Sequence, residues 1–181
     1  MELEIERKWL VPADRLLTLQ GKVLRDGFSD IRQGYLSPEV RVRITNGDAI
    51  LCIKRRLTLL TVREFNYSIP MEDAELLLED MDLIIKHRNN LPEGYTLDQF
   101  ASDLDGLVLV EKEFESEELA AEELLPEWLE GCPEVTGDET YINANLGGTM
   151  FVEGLGVVSG DNLLTGDEEE IDPNDFHYPI G

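Results

Sequence analysis

The sequence predicts an α+β protein whose antiparallel strands are numerous enough to close a barrel, with two or three helices beside it. Strand-like segments follow one another between residues 29 and 70, and turn signals such as Asn46-Gly47-Asp48 separate them. Residues 72–85 instead have the apolar spacing of a helix. Along several strands, charged residues recur at every second position, so one whole face of each of these strands is polar.

The first half of the chain predicts a strand, a helix and then four more strands. Residues 1–11 alternate in character and end at Pro12, and residues 13–20 predict a short helix that Gly21 stops. Further strands are predicted at 31–36, 40–45, 49–54 and 62–69. We expect these strands to pair in order.

The second half begins with the amphipathic helix at 72–85, although residues 83–89 also predict the next strand. Strands at 95–99 and 107–114 follow, and then a helix at 116–125 with Ser116 as its cap. After Asn145 the pattern weakens into glycines and acidic residues. We therefore predict a domain at 1–146 and an acidic, glycine-rich C-terminal extension at 147–181 that is irregular.

Composition limits the classes of partner. The 181 residues carry a formal net charge of -24, which argues against binding nucleic acid. Of the 15 lysines and arginines, only Lys86, Arg88 and Lys112 lie beyond Arg63, so a local basic pocket is compatible with the acidic total. The absence of an apolar leader or spanning run predicts a cytoplasmic protein with no membrane partner. The two cysteines are expected to be reduced, buried thiols.

Rows of charge occur at strand spacing in five places. They are Glu4, Glu6 and Lys8; Arg41 and Arg43; Lys54 and Arg56; Lys86 and Arg88; and Glu111 and Glu113. The apolar alternates face the opposite way, which fits helices packed outside a polar barrel interior. Paired carboxylates suit Mg²⁺ or Mn²⁺, and several arginines and lysines suit a triphosphate. The sequence therefore predicts an interior that holds both signs of charge at once, as metal-assisted phosphoryl transfer would need.

The order of these motifs resembles the CYTH, or triphosphate tunnel metalloenzyme, family. The series is Glu4-Ile5-Glu6-Arg7-Lys8, Arg41-Val42-Arg43, Lys54, Glu64-Phe65-Asn66, Lys86-x-Arg88, Asp98, Gly106-Leu107, Glu111-x-Glu113, Pro126-x-Trp128, Val135-Thr136-x-Asp138 and Tyr141-x-Asn143. The first motif alone arises often by chance, whereas the ordered series is specific. The resemblance covers residues 1–146 and leaves the extension unmatched.

This resemblance implies an eight-stranded closed antiparallel tunnel, in a family whose members cleave inorganic, thiamine or nucleoside triphosphates or cyclise ATP. It implies metal ligands at Glu4, Glu6, Glu111 and Glu113, which together with Lys8 form the predicted catalytic set. The predicted substrate-binding set is Lys8, Arg41, Arg43, Lys54, Glu64, Lys86 and Arg88. Members are often homodimers, and the sequence leaves the oligomeric state open.

Departures from the family pattern keep other functions open. An uncharged residue replaces a usual charged one at Val62, Asn66 and Thr140, whereas Lys112 stands at a usually apolar position. Metal-dependent hydrolysis of a triphosphate is the leading hypothesis. Cyclisation of ATP by a class IV type of adenylate cyclase, and capture of nucleotides or polyphosphate without turnover, are the alternatives. Three further arginines, Arg55, Arg56 and Arg63, are left undecided between the surface and a substrate contact.

Overall fold

A computed structural model describes residues 2–24, 27–152 and 156–159. Its centre is a closed barrel of eight antiparallel strands in the order β1-β5-β4-β3-β2-β6-β7-β8, in which β8 pairs again with β1. The strands are β1 (Glu2–Leu10), β2 (Phe28–Ser37), β3 (Val40–Thr45), β4 (Asp48–Arg56), β5 (Thr61–Ser68), β6 (Ile84–Asn90), β7 (Tyr95–Phe100) and β8 (Val108–Glu113). The predicted fold class and the closed eight-stranded barrel are confirmed.

In the described part of the chain, four α-helices flank the barrel: α1 (Ala13–Gln20), α2 (Met71–Leu78), α3 (Glu117–Glu122) and α4 (Asn143–Leu146). Helix α1 has the predicted bounds. Helix α3 is shorter than predicted, but its cap is confirmed, because the Ser116 hydroxyl accepts a hydrogen bond from the Leu119 amide at 3.2 Å. Among the described helices, none combines the length and the apolarity that crossing a membrane would need.

The predicted helix at 72–85 was too long. Helix α2 ends at Leu78, and Asp80 has a φ of 60°, a left-handed conformation that a helix cannot continue through. The apolar residue Ile85 kept the helical spacing by coincidence, and it belongs to β6. The alternative prediction of a strand at 83–89 was therefore the right one for this segment.

The start of the extension is more regular than expected. Strands β9 (Thr149–Val152) and β10 (Gly156–Ser159) form a two-stranded antiparallel sheet. Phe151 and Val157 pack against the buried cluster at one end of the barrel, so this hairpin is attached to the domain. The rest of the predicted extension, residues 153–155 and 160–181, lies outside the described residues.

Apolar side chains fill the outer layer between the barrel and its helices. Trp9, Leu97 and Val110 point outward from their strands and are buried with Leu19 of α1. Helix α2 covers β3 and β4, where Ala74 packs on Val42 and Ala49. A third cluster closes part of the barrel interior at one end, and its buried members are Ile84, Phe100, Leu104, Leu107, Leu109 and Leu146. Both cysteines are free and buried, as expected.

Candidate active site

The charged rows predicted from the sequence meet inside the barrel. Lys54 of β4 reaches Glu4 of β1 at 2.7 Å although β5 lies between these strands. Arg88 of β6 likewise contacts Glu111 of β8 across β7. Contacts that skip a strand in this way cross the interior of the barrel. Among the described residues, the strands bring together in the interior six acidic and six basic side chains, which are Glu4, Glu6, Glu64, Asp98, Glu111, Glu113, Lys8, Arg41, Arg43, Lys54, Lys86 and Arg88.

Lys54 holds two of the carboxylates. Its Nζ atom lies 2.7 Å from Glu4 Oε2 and 2.6 Å from Glu64 Oε1. Burial alone would raise the pKa of Glu64, but Lys54 and Arg41 lower that pKa to about 2. Burial, together with the charges of Glu6 and Glu64, raises the pKa of Glu4 to about 7 although Lys54 opposes this. Glu4 is therefore the carboxylate of this pair that can take up a proton near neutral pH.

Lys8 joins the second group of charges. Its Nζ atom lies 2.9 Å from Glu111 and 3.3 Å from Glu6, and its side chain is buried. Burial alone would lower the pKa of Lys8, but the carboxylates of Glu111 and Glu6 raise it above its ordinary value. Arg88 bridges Glu111 to Asp98, with Nε 2.7 Å from Asp98 Oδ1, and the fully buried Lys86 also contacts Asp98.

Asp98 is the site residue that the predicted set missed. It was noted only as part of the family series, because a single aspartate between Leu97 and Gln99 carries no spacing signal of its own. Its carboxylate is fully buried and contacts both Lys86 and Arg88. Gln33 was also missed, although it faces Arg43 in the β2–β3 register and is completely buried.

Arg41 and Arg43 differ from the other basic residues of the interior. Within the described part of the chain, neither lies within ion-pair distance of a carboxylate. Arg43 Nε donates to Gln33 Oε1 at 3.0 Å, whereas the buried Arg41 Nε has no hydrogen-bond partner there. Burial, Arg41 and Arg88 lower the pKa of Arg43 to about 10. Two adjacent guanidinium groups thus retain donors for an anion.

The carboxylates on the opposite wall crowd one another. Glu6 and Glu113 are direct partners in the β1–β8 register, and burial followed by the charge of Glu6 raises the pKa of Glu113. The described residues contain no group of three His, Cys, Asp or Glu side chains already arranged as a metal site. Repulsion among Glu4, Glu6 and Glu113 is nevertheless the environment that a divalent cation would relieve, and their oxygen atoms suit a hard cation.

A cavity of about 460 Å³ opens beside these charges. Its walls include Glu4, Lys8 and Lys54 from the barrel, and residues 135–139 and 141–145 from the segment that follows the short helix at Glu127–Leu129. This segment is attached to β1, because the Lys8 amide donates to Thr136 Oγ1 at 3.0 Å and the Lys8 Nζ atom approaches the Tyr141 carbonyl at 3.5 Å. The sequence marked parts of this segment by resemblance but did not predict that it lines the site.

Several undecided or unusual residues lie outside the site. Arg55 and Arg63 face each other in the β4–β5 register, on the strand face opposite to Lys54 and Glu64, so both point away from the barrel interior. Lys112 also faces outward, where its ammonium group contacts Glu123 and lies 4.5 Å from the centre of the Tyr95 ring. The aliphatic part of the Lys112 side chain thus fills this usually apolar position, while its charge is paired with Glu123.

Comparison with known proteins agrees with the motifs. An inorganic triphosphatase of Acetivibrio thermocellus is 35% identical over 156 residues, which is 81% of this chain and 94% of that protein. An inorganic triphosphatase of Nitrosomonas europaea is 32% identical over 157 residues, which is 79% of this chain and 95% of that protein. No family model matches the chain.

Solved structures show the same barrel. The crystal structure of an inorganic triphosphatase superposes with a TM-score of 0.52 at 31% identity, over 81% of this chain and 95% of that chain. A structure described as a putative adenylate cyclase of Bacillus halodurans has a TM-score of 0.53 at 18% identity, over 67% of this chain and 86% of that one. At that identity the second structure bears only on the fold.

Proposed function

The chain belongs to the CYTH, or triphosphate tunnel, family, and from this premise we propose that it hydrolyses inorganic triphosphate inside the barrel with the help of Mg²⁺ or Mn²⁺. The observation that carries the proposal is the pair of interior guanidinium groups, Arg41 and Arg43, which have no carboxylate partner among the described residues. The relatives named inorganic triphosphatase support this choice of substrate.

In this proposal the basic residues bind the substrate through charge. Arg41 and Arg43 donate to phosphate oxygens, and Lys8, Lys54, Lys86 and Arg88 add positive charge around them. Glu111 fixes Lys8 and Arg88 through its ion pairs, and Glu64 fixes Lys54. These contacts hold the cations in place before the substrate arrives, so little reorganisation is needed on binding.

The acidic wall supplies the metal site of the proposal. Glu4, Glu6 and Glu113 would hold the cation, while Glu111 is already engaged by Lys8 and Arg88. A bound Mg²⁺ or Mn²⁺ would neutralise charge that develops on the phosphates during transfer. We also propose a small triphosphate as the partner rather than nucleic acid, on the basis of the net charge of -24. The predicted cytoplasmic location is kept as part of this proposal.

The test is phosphate release from tripolyphosphate, ATP and thiamine triphosphate, each with Mg²⁺ or Mn²⁺. We expect fast release from tripolyphosphate, and we expect Glu4→Gln and Glu113→Gln to reduce kcat at least about a hundredfold with the fold intact by circular dichroism. Unchanged turnover in both variants would contradict the metal site. Cyclic AMP as the product from ATP would indicate the cyclase alternative, and tight binding without turnover would indicate capture.

A further inference from the structure

Arg56 is a cation at the cavity that the proposed function leaves without a role. It lines the same cavity as Lys8 and Lys54, and it follows Lys54 by two residues on the same face of β4. Its partner in the β4–β5 register is Val62, which brings no charge to the neighbouring position. Arg56 therefore adds a guanidinium group to this wall without a carboxylate beside it on the adjacent strand.

The three cations of the cavity differ in how far they are neutralised. Lys8 contacts Glu6 and Glu111, and Lys54 contacts Glu4 and Glu64. Among the described residues, Arg56 has no carboxylate within ion-pair distance, and its side chain makes one hydrogen bond, from Nη1 to the Leu59 carbonyl at 3.0 Å. Most of its five donors therefore stay available to an anion.

The turn that follows β4 is fixed by its own hydrogen bonds. The Thr58 hydroxyl accepts from the amides of Leu60 at 3.2 Å and Thr61 at 2.9 Å, and the Leu57 amide donates to the Thr61 carbonyl at 2.9 Å. Both threonine hydroxyls contact Glu117 of α3. The Leu59 carbonyl is thus held in an ordered turn, and it holds the guanidinium of Arg56 at the cavity.

The rest of the cavity wall includes acidic residues, so an anion that enters the cavity needs a cation there to offset the repulsion. Glu39, Asp138 and Glu139 line this wall, and they would repel a phosphate group. Asp138 is committed to the local backbone, since its carboxylate accepts from the Thr140 amide at 2.9 Å. Arg56 is the group on this side that can offset the acidic wall, through a planar fork that matches phosphate oxygens.

We propose that Arg56 is a substrate-binding residue that donates to an outer phosphate group of inorganic triphosphate where the substrate extends into the cavity. This inference rests on the proposed function, because it assigns a further contact to the same substrate. Apart from the bond to the Leu59 carbonyl, the side-chain donors of Arg56 become bonded only when the anion is present, so its loss should weaken binding without disturbing the barrel.

The experiment compares tripolyphosphate binding, measured by calorimetry without metal, with hydrolysis measured by phosphate release. The variants are Arg56→Ala, Arg56→Lys and the matched control Arg55→Ala, whose side chain is also exposed and lies on the outer face of the same strand. We expect Arg56→Ala to raise Kd at least about tenfold and KM by a similar factor, Arg56→Lys to lie between, and Arg55→Ala to match the wild type.

The outcomes separate this inference from the function on which it rests. If the wild type binds and hydrolyses tripolyphosphate but Arg56→Ala has the same Kd, the role of Arg56 is wrong and the triphosphatase proposal stands. If Arg55→Ala raised Kd as much as Arg56→Ala, the effect would come from the lost positive charge in general and not from a contact of Arg56. This result would also overturn the inference. A wild type that neither binds nor cleaves tripolyphosphate would overturn both.

Discussion

Glu4 links the charge balance of the interior to the stability of the barrel. Its pKa is about 7 in the folded protein, mainly because of burial, against an ordinary value of 4.5. Between these two values the folded state binds more protons than the unfolded chain. The contribution of Glu4 to stability is therefore complete below about pH 4.5 and is lost as the pH rises through about 7.

A substitution of this residue should remove that dependence. We expect the free energy of unfolding of the wild type, relative to Glu4→Gln, to fall as the pH rises from about 5 to about 8. Urea unfolding with EDTA present measures it, and Glu115→Gln, at an exposed glutamate, is the control. A difference between wild type and Glu4→Gln that stays constant with pH would contradict the raised pKa.

The buried pair of Lys86 and Asp98 should be costly to break. Both side chains are fully buried, and Arg88 also depends on Asp98. Asp98→Asn removes a charge that faces two cations, so we expect it to lower the free energy of unfolding by about 3 kcal/mol. Arg32→Ala, which breaks the exposed pair with Glu75, should cost less than about 1 kcal/mol in the same urea experiment. If Asp98→Asn and Arg32→Ala lowered the free energy of unfolding by the same amount, the high cost expected for breaking the buried pair would be contradicted.

At the scale of elements, the sequence did not predict the hairpin of β9 and β10 or its packing against the barrel. Phe151 packs on the barrel-end cluster, and its ring lies 3.1 Å from where a Cβ atom on Gly106 would be placed. We expect Phe151→Ala to lower the free energy of unfolding by about 2 kcal/mol, because the ring is only partly buried. Ser159→Ala, at an exposed position of β10, is the control. No change in Phe151→Ala would mean that the hairpin adds nothing to the domain.

The elements that were predicted well are those with a local cause. Helix α1 ends at its C-cap Gly21, as predicted, and Asn46-Gly47 turns β3 into β4, where both turn residues have positive φ. The helix at 72–85 failed because a period of three and four continued by chance past Asp80. The spacing of two placed the charged rows on one face, but it could not show which cation meets which carboxylate. The Lys54–Glu4 contact depends on the closure of the barrel, which no local pattern encodes.

At the scale of the whole molecule, charge is separated between inside and outside. Among the residues that the structure describes, the twelve interior charges named above are six acidic and six basic side chains, so they balance one another. The formal net charge of -24 therefore belongs to the rest of the chain. Self-repulsion of this charge destabilises the folded state, whereas the buried pairs are largely shielded from dissolved ions.

Salt should therefore stabilise the protein. Raising NaCl from about 0.02 M to about 0.5 M shortens the Debye length from roughly 20 Å to roughly 4 Å, which screens the outer repulsion more than the interior ion pairs. We expect Tm, measured by calorimetry with EDTA present to exclude bound divalent cations, to rise by several degrees over this range. A Tm that falls with salt would mean that attractive surface pairs such as Arg7–Glu134, at 2.7 Å, outweigh the repulsion. The variant Arg7→Ala separates these terms, because removing the pair should leave the rise with salt in place if repulsion dominates.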